Sequence, residues 1–415
     1  MKVLDRVNSR SMRSTVVEPV RAFLQAEASS GALLFAAALI ALGWANGPGS
    51  DSYARLWETE LTLWIDPLNL TESLRHWVNE ALMTLFFFVV GLEIKRELVT
   101  GELSDRRAAA LPVMAAFGGA LLPVAIFLIV AGRTDGRAGW GIPMATDIAF
   151  AIGVLAVLRR RVPPGARVIL LSIAIVDDII AIAVIAVFYA DAIEAAWLGV
   201  AGVGLAVIAA MRHIGVGRIY PYLLIGIGVW YATYSSGVHA TIAGVALALL
   251  APAHRYRGRD VLGVLENRLH PVSAYVVVPL FALANAGVDL RGTALADAAT
   301  SRLTWAIGSG LLLGKMLGIT LVTLLVVRLG VAVLPTGVTT RHVWGLSALA
   351  GIGFTVSLFI AELAYQNPEL TDLAKIGVLA ASLLSGTIGA AVLITGGGHR
   401  LRRRARRSAN ATSPG

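Results

Sequence analysis

Residues 168–190 run for 23 positions with no charge except an adjacent pair at their centre, Asp177 and Asp178. A run of that length crosses the roughly 30 Å of bilayer hydrocarbon as a helix, and lipid obliges the backbone to satisfy its own hydrogen bonds. Comparable apolar blocks recur at 30–46, 76–94, 108–131, 140–158, 193–210, 219–235, 237–252, 271–287, 303–327, 343–364 and 372–394. Apolar residues make up 57% of the chain and charged residues 15%, so the fold class expected is an all-α polytopic membrane protein with 12 transmembrane helices. A single Asp at a span centre costs about 2.5–3.5 kcal/mol on insertion scales. Two side by side point to an ion or proton site.

The formal net charge of +9 invites a nucleic-acid reading, but in a membrane chain the placement of Lys and Arg decides. Of the 35, 27 fall in the N-terminal tail, in alternate loops and in the C-terminal tail. The positive-inside rule therefore puts both termini in the cytoplasm and removes any need for nucleic acid. This divides the chain into a cytoplasmic segment 1–29, a transmembrane domain 30–394 and a basic, disordered cytoplasmic tail 395–415. The first apolar run reads as a span, since no small-residue cleavage site follows it. Cysteine is absent, which excludes disulfides and thiol chemistry.

The longest outward loop, 47–75, alternates Glu60, Leu61, Thr62, Leu63, Trp64, Ile65 before the turn signal Asp66-Pro67. That pattern predicts a β-hairpin, whose free edge suits pairing with a second protomer. Two spans carry breaks. The fourth has Pro143, which removes a backbone donor; the eleventh has Gly351 and Gly353, which weaken helix. Each is second in a trio of spans, three to five and ten to twelve, which predicts inverted repeats with two broken helices crossing at the midplane.

Asp147, just after the first break, and Lys315, central in span ten, lie at membrane depth with Asp177 and Asp178. Four such groups facing lipid singly would cost on the order of 10 kcal/mol, so they face one another or a watery cavity. A network built for stability alone is a poor explanation, because apolar replacements of buried ion pairs are often neutral or stabilising. Three acids against one base leave negative charge for protons or a cation. Only 4 of the basic residues are lysines, yet the deepest cation is the type that can shed its proton. Lys375, near a span end, is within snorkelling reach of the surface and reads as structural. Adjacent helix positions do not share a face, so Asp177 and Asp178 divide their work. Their oxygens, the Thr146 hydroxyl and carbonyls freed at Pro143 suit a hard cation of sodium size. Burial and like charge disfavour an ionised carboxylate, which lets protons and cation compete for one site.

The segments FFFVVGLEIKREL (86–98), WGIPMATDIAFA (140–151), IAIVDDIIAI (173–182), SGVHAT (236–241), PLFALANAGV (279–288), GLLLGKMLG (310–318) and GIGFTVS (351–357) resemble the bacterial NhaA-type sodium/proton antiporters over residues 20–395. That family is one of the folds from which the inverted-repeat rule was drawn. The resemblance implies an inner-membrane, electrogenic, pH-regulated exchanger of Na+ (or Li+) for H+, without cofactor. It implies Na+ or Li+ at Asp178, Asp177 and Thr146, with Asp178 the central ligand and Asp177 a proton carrier paired with Lys315. Thr146 and Asp147 would flank the helix crossing, Asp147 offsetting the positive half-helix ends and Lys315 the negative ones. Glu93, Glu97 and Glu266 match the family's pH-sensing entrance, and the partners implied are lipid and a second copy held through the 47–75 loop.

Three positions depart from the family pattern: Asn267 where His is usual, Met316 where Pro is common, and Ile180 for a frequent Gly. None touches the acids. The alternative is a sodium-coupled organic-anion symporter of the same fold, which the acid-rich site disfavours. An enzyme, as in intramembrane aspartyl proteases, needs Tyr-Asp and Gly-x-Gly-Asp settings that the chain lacks.

Overall fold

The apolar blocks fold as helices throughout a computed structural model that describes residues 29–411 apart from 66–67, 159–160, 191 and 254–259; side chains at 63–69 and 396–411 are also outside the description. The N-terminal segment expected over 1–29 thus falls almost wholly outside the described residues. Helix α1 (Ser29–Asn46) leads to a short helix α2 (Ser50–Glu58), strands β1 (Glu60–Ile65) and β2 (Leu68–Ser73), then α3 (Leu74–Thr100) and α4 (Arg106–Ala131). A 3-10 half-helix, Asp135–Met144, precedes α5 (Ile148–Val157), α6 (Pro164–Phe188), α7 (Ala195–Ile214), α8 (Ile219–Ser235) and α9 (Thr241–Leu250). The chain continues through α10 (261–285), α11 (Arg302–Arg328), α12 (Thr340–Leu349), α13 (Phe354–Ala364) and α14 (Pro368–Ala411).

Among the described residues 7 helices are long and apolar enough to cross a membrane, or 9 if each of two bent pairs counts as one span. That is fewer than the 12 expected. The difference lies in α8, α9 and α10. Helix α8 has 17 residues and α9 only 10, while the first turns of α10 carry Glu266, Asn267, Arg268 and His270. The bent pairs are the half-helix 135–144 with α5 and α12 with α13, each turned by 44°. The multi-pass membrane character stands on these apolar helices.

Local chemistry sets the helix ends. Asp105, Asp147 and Asp260 cap α4, α5 and α10 by accepting from Arg107 N, Phe150 N and Gly263 N. Gly215, at φ 87°, closes α7 in a left-handed turn that a side chain would resist. The strands pair antiparallel from Glu60 opposite Ser73 to Ile65 opposite Leu68. The backbone continues α14 to Ala411. Arg and Ala are strong helix formers, and extending a formed helix needs no new nucleus.

Helices α4 and α11 approach so closely that a Cβ on Gly118 would stand 2.5 Å from Gly318 O, and one on Gly318 2.1 Å from Gly118 O. Small residues bring membrane helices into such contact. Just above this contact α11 widens into a π-turn, Gly310–Gly314, whose glycines lie against Pro143 and Pro123. Lys315 is the next residue, so the packing of α4 fixes its height and direction.

Candidate ion site and its entrance

Where the bent pairs meet, the two breaks are joined through one carboxylate. Residues 145–147 leave helical geometry after Pro143, and α5 restarts at Ile148; α12 ends at Leu349 and α13 restarts at Phe354. Asp147 Oδ1 accepts from Phe150 N at 2.9 Å, and Oδ2 accepts from Thr355 N at 3.1 Å and from the Thr355 hydroxyl at 2.6 Å. Its own N–H donates to Ile352 O at 2.6 Å. One negative charge therefore faces the N-terminal ends of both α5 and α13, where helix dipoles favour it. Thr146 donates its hydroxyl proton to Ala350 O at 2.8 Å, which ties the first break to the second and leaves its lone pairs for other partners. Ser357 donates to Ile142 O at 2.8 Å and adds a third tie.

On α6 the Asp pair divides as the helix geometry requires. Asp177 forms a buried ion pair with Lys315 of α11, whose side chain is fully buried. Asp178 instead lines a cavity of about 850 Å³ including its open mouth. The cavity walls include Thr146, Asp147 and Thr355 beside Asp178, and its mouth is marked by Glu93, Arg96 and His270. The mouth opens at the end of the bundle that carries Lys95, Arg96 and Arg212, the basic end; the β-hairpin lies at the other.

The three glutamates expected at the entrance part company. Glu93 stands on the cavity wall with His270 3.8 Å away. Glu266 pairs with Arg96. Glu97 turns away, buried, to accept from Glu102 N at 3.0 Å, so it holds the turn after α3 and not the cavity. Lys375 departs from its expected reading as well. It does not snorkel: it is 2% exposed and pairs with Glu362 of α13, because helix α13 covers the face of α14 on which it sits.

Chemically, the cavity offers one free-standing carboxylate, two threonine hydroxyls and helix-break carbonyls. Among the described residues no group of three His, Cys, Asp or Glu side chains converges as a metal cage. Such a set suits a weakly held, hard monovalent cation more than a resident transition metal.

The comparisons agree with this chemistry. The family described as Na+/H+ antiporter 1 matches residues 21–393. The Na(+)/H(+) antiporter NhaA 2 of Erythrobacter litoralis is 45% identical over 383 residues, covering 92% of this chain and 95% of that protein. The chain belongs to the NhaA family of sodium/proton antiporters. Its similarity extends to the NhaA 3 protein of Frankia alni, 43% identical over 410 residues with 91% and 89% coverage. The NhaA of Serratia proteamaculans is 43% identical over 377 residues, with 90% and 97% coverage.

Within this NhaA-family fold, two features went unread in the sequence. Thr355 lies inside a quoted motif, but its role depends on Asp147, 208 residues away. His239, in SGVHAT, stands 3.5 Å from Glu80 and 2.6 Å from Tyr189 O, joining α3 to the end of α6. A lone His among apolar residues carries no such signal.

Proposed function

We propose that this chain is an inner-membrane antiporter that expels Na+ or Li+ in exchange for H+ by alternating access. The observation that carries the reading is the split of the Asp pair: Asp178 on the cavity wall, Asp177 behind it on Lys315. Asp178 is the group for which cation and proton compete, with Thr146 supplying a hydroxyl oxygen to the cation. Asp177 and Lys315 form the second proton-carrying unit. A proton that reaches Asp177 breaks its pair with Lys315, so each cycle moves more protons than sodium ions and is electrogenic. Asp147 holds the two broken helices in register beneath the cation.

The remaining parts follow the family's plan. The fold has twelve spans in inverted repeats, α8, α9 and α10 supplying the three that are short or polar. The basic end is cytoplasmic, as are both termini, because the excess of Lys and Arg lies there. Glu93 and Glu266, with Glu97 on the adjoining turn, adjust exchange to pH through Arg96 and His270, which face them. The protein works in lipid as a homodimer paired through the 47–75 hairpin.

The test uses proteoliposomes with an acid interior, to which sodium, lithium or potassium is added outside while internal pH is followed. Wild type alkalinises the lumen with sodium or lithium, and Asp178→Asn does not. Sodium-driven proton movement in Asp178→Asn would remove Asp178 from its place.

A further inference from the structure

One helical turn along α13 from the cavity-lining Thr355 lies a layer of three phenylalanines, none of which lines the cavity itself. Phe86 lines the cavity, and its neighbour Phe87 points past it. The Phe87 ring of α3 lies 5.4 Å from that of Phe359 on α13, and the Phe281 ring of α10 lies 6.2 Å from Phe359. All three are buried, Phe281 and Phe359 completely. Thr355, which faces the cavity, stands one helical turn before Phe359, and Glu362 stands one turn beyond it. Spacings of four and seven residues put the three on one face of α13.

Beyond the layer that face meets charge. Glu362 is paired with the buried Lys375 of α14. Lys375, Arg75 at the start of α3, Glu362 and Asp289 after α10 are near enough to Asp372 of α14 to act on its charge, and Arg75, Glu362 and Asp372 act on Tyr53 of α2. These are the charged and titratable groups that surround Glu362. The buried Arg75 Nε has no hydrogen-bond partner among the described residues. A buried Lys375 with half-buried Glu362, Asp372 and Arg75 around it at the hairpin end needs a reason beyond stability.

We propose that the face Thr355, Phe359 and Glu362 of α13 is the outward half of the ion path, with Glu362 the acid next to the gate on the outward side and the Phe87–Phe281–Phe359 layer the gate. The rings come from α3 and α10 on one side and from α13 on the other, so sliding α13 past the other two parts them without breaking any covalent or ionic tie. An incoming proton binds the Glu362 carboxylate, is passed through admitted water to Asp178, and leaves Glu362 ionised again beside Lys375, which keeps its own proton. Lys375 positions Glu362 and neutralises it between arrivals.

This rests on the exchanger reading, and the experiment separates the two. The chain has no cysteine, so Phe359→Cys carries the sole thiol. Exchange is measured first in right-side-out and inverted vesicles; absence of exchange in wild type would count against the exchanger reading and leave nothing to gate. In vesicles where Phe359→Cys exchanges, a membrane-impermeant maleimide modifies it about tenfold faster from the hairpin side than from the basic side, because the thiol is reached only in the outward state. Equal rates, faster labelling from the basic side, or no labelling during active exchange overturn the proposal. Independently, Glu362→Gln raises by about tenfold the outside proton concentration needed for half-maximal exchange and leaves the inner sodium KM unchanged. If Gln beside an unpaired Lys375 prevents folding, Glu362→Gln with Lys375→Met, which removes both charges, is read the same way. An unaltered dependence on outside pH overturns the role of Glu362.

Discussion

Asp147 receives three hydrogen bonds from two different helices, and this makes Thr355 the residue most worth changing after the acids. Thr355→Ala removes the shortest of the three and leaves the backbone donor. A hydrogen bond to a charged group contributes about 1.5–3 kcal/mol, so the melting temperature falls and the KM for sodium rises as Asp147 turns into the cavity. Thr355→Ser, which keeps the hydroxyl, restores both; a Ser variant as damaged as Ala would mean the methyl group matters and the bond does not. Lys315→Ala leaves Asp177 buried and unpaired, a loss of about 3–5 kcal/mol. Thermal unfolding with and without sodium reads it, together with the pH profile of exchange. The Asp pair and Lys315 were legible in the sequence because charge inside an apolar block has few explanations. Lys375 was misread because its partner Glu362 is 13 positions away on a different helix, and burial by a neighbouring helix leaves no mark on hydropathy.

At the scale of elements, the breaks at Pro143 and at Gly351 and Gly353 were visible as residues that helices tolerate poorly, and the structure bends both pairs by 44°. The α4–α11 contact was not visible, since glycine occurs in all but one of the twelve spans read in the sequence. Gly318→Ala places a methyl group against Gly118 backbone, which cannot yield as a side chain can. The helices must separate, and Lys315, one turn away, moves from Asp177. Exchange falls more than tenfold on this account, since positioning errors of about 1 Å cost about 10²-fold; the companion change Val322→Ala, beside the same contact, does not rescue it because the clash is with backbone. Helix α2 gives a pH-dependent case. Tyr53 donates to Leu283 O and Ala284 O at 2.9 and 3.0 Å, and burial pushes its phenol up to about 12. A pKa raised in the fold means that the stabilisation is complete below the unfolded value of about 10 and is lost as pH climbs through the folded one. Tyr53→Phe therefore lowers stability by about 1 kcal/mol at neutral pH, and the gap from wild type closes as pH rises from about 10 to 12.

For the whole molecule, the hairpin and the ion site are separate parts: among the described side chains, none of strands 60–65 and 68–73 lines the cavity. Deleting 60–73 with a short Gly-Ser bridge shifts the protein in detergent from dimer to monomer by light scattering. Stabilisation of the monomer by sodium persists. A dimer that survives the deletion would place the contact between copies elsewhere.

The sequence alone determined that the chain is a polytopic helical protein with a few charges at membrane depth, because lipid admits few backbone structures and penalises each charge separately. It also determined where the helices break and, through a resemblance over most of its length, the family. The tertiary structure decided which acid faces the cavity and which faces Lys315, how Thr355 and Asp147 bind the two breaks together, and that Glu362 and Lys375 meet below a layer of buried rings. These depend on the crossing and rotation of helices far apart in the chain. Hydropathy is a sum along the chain, whereas a pair of charges is settled by direction and distance in space.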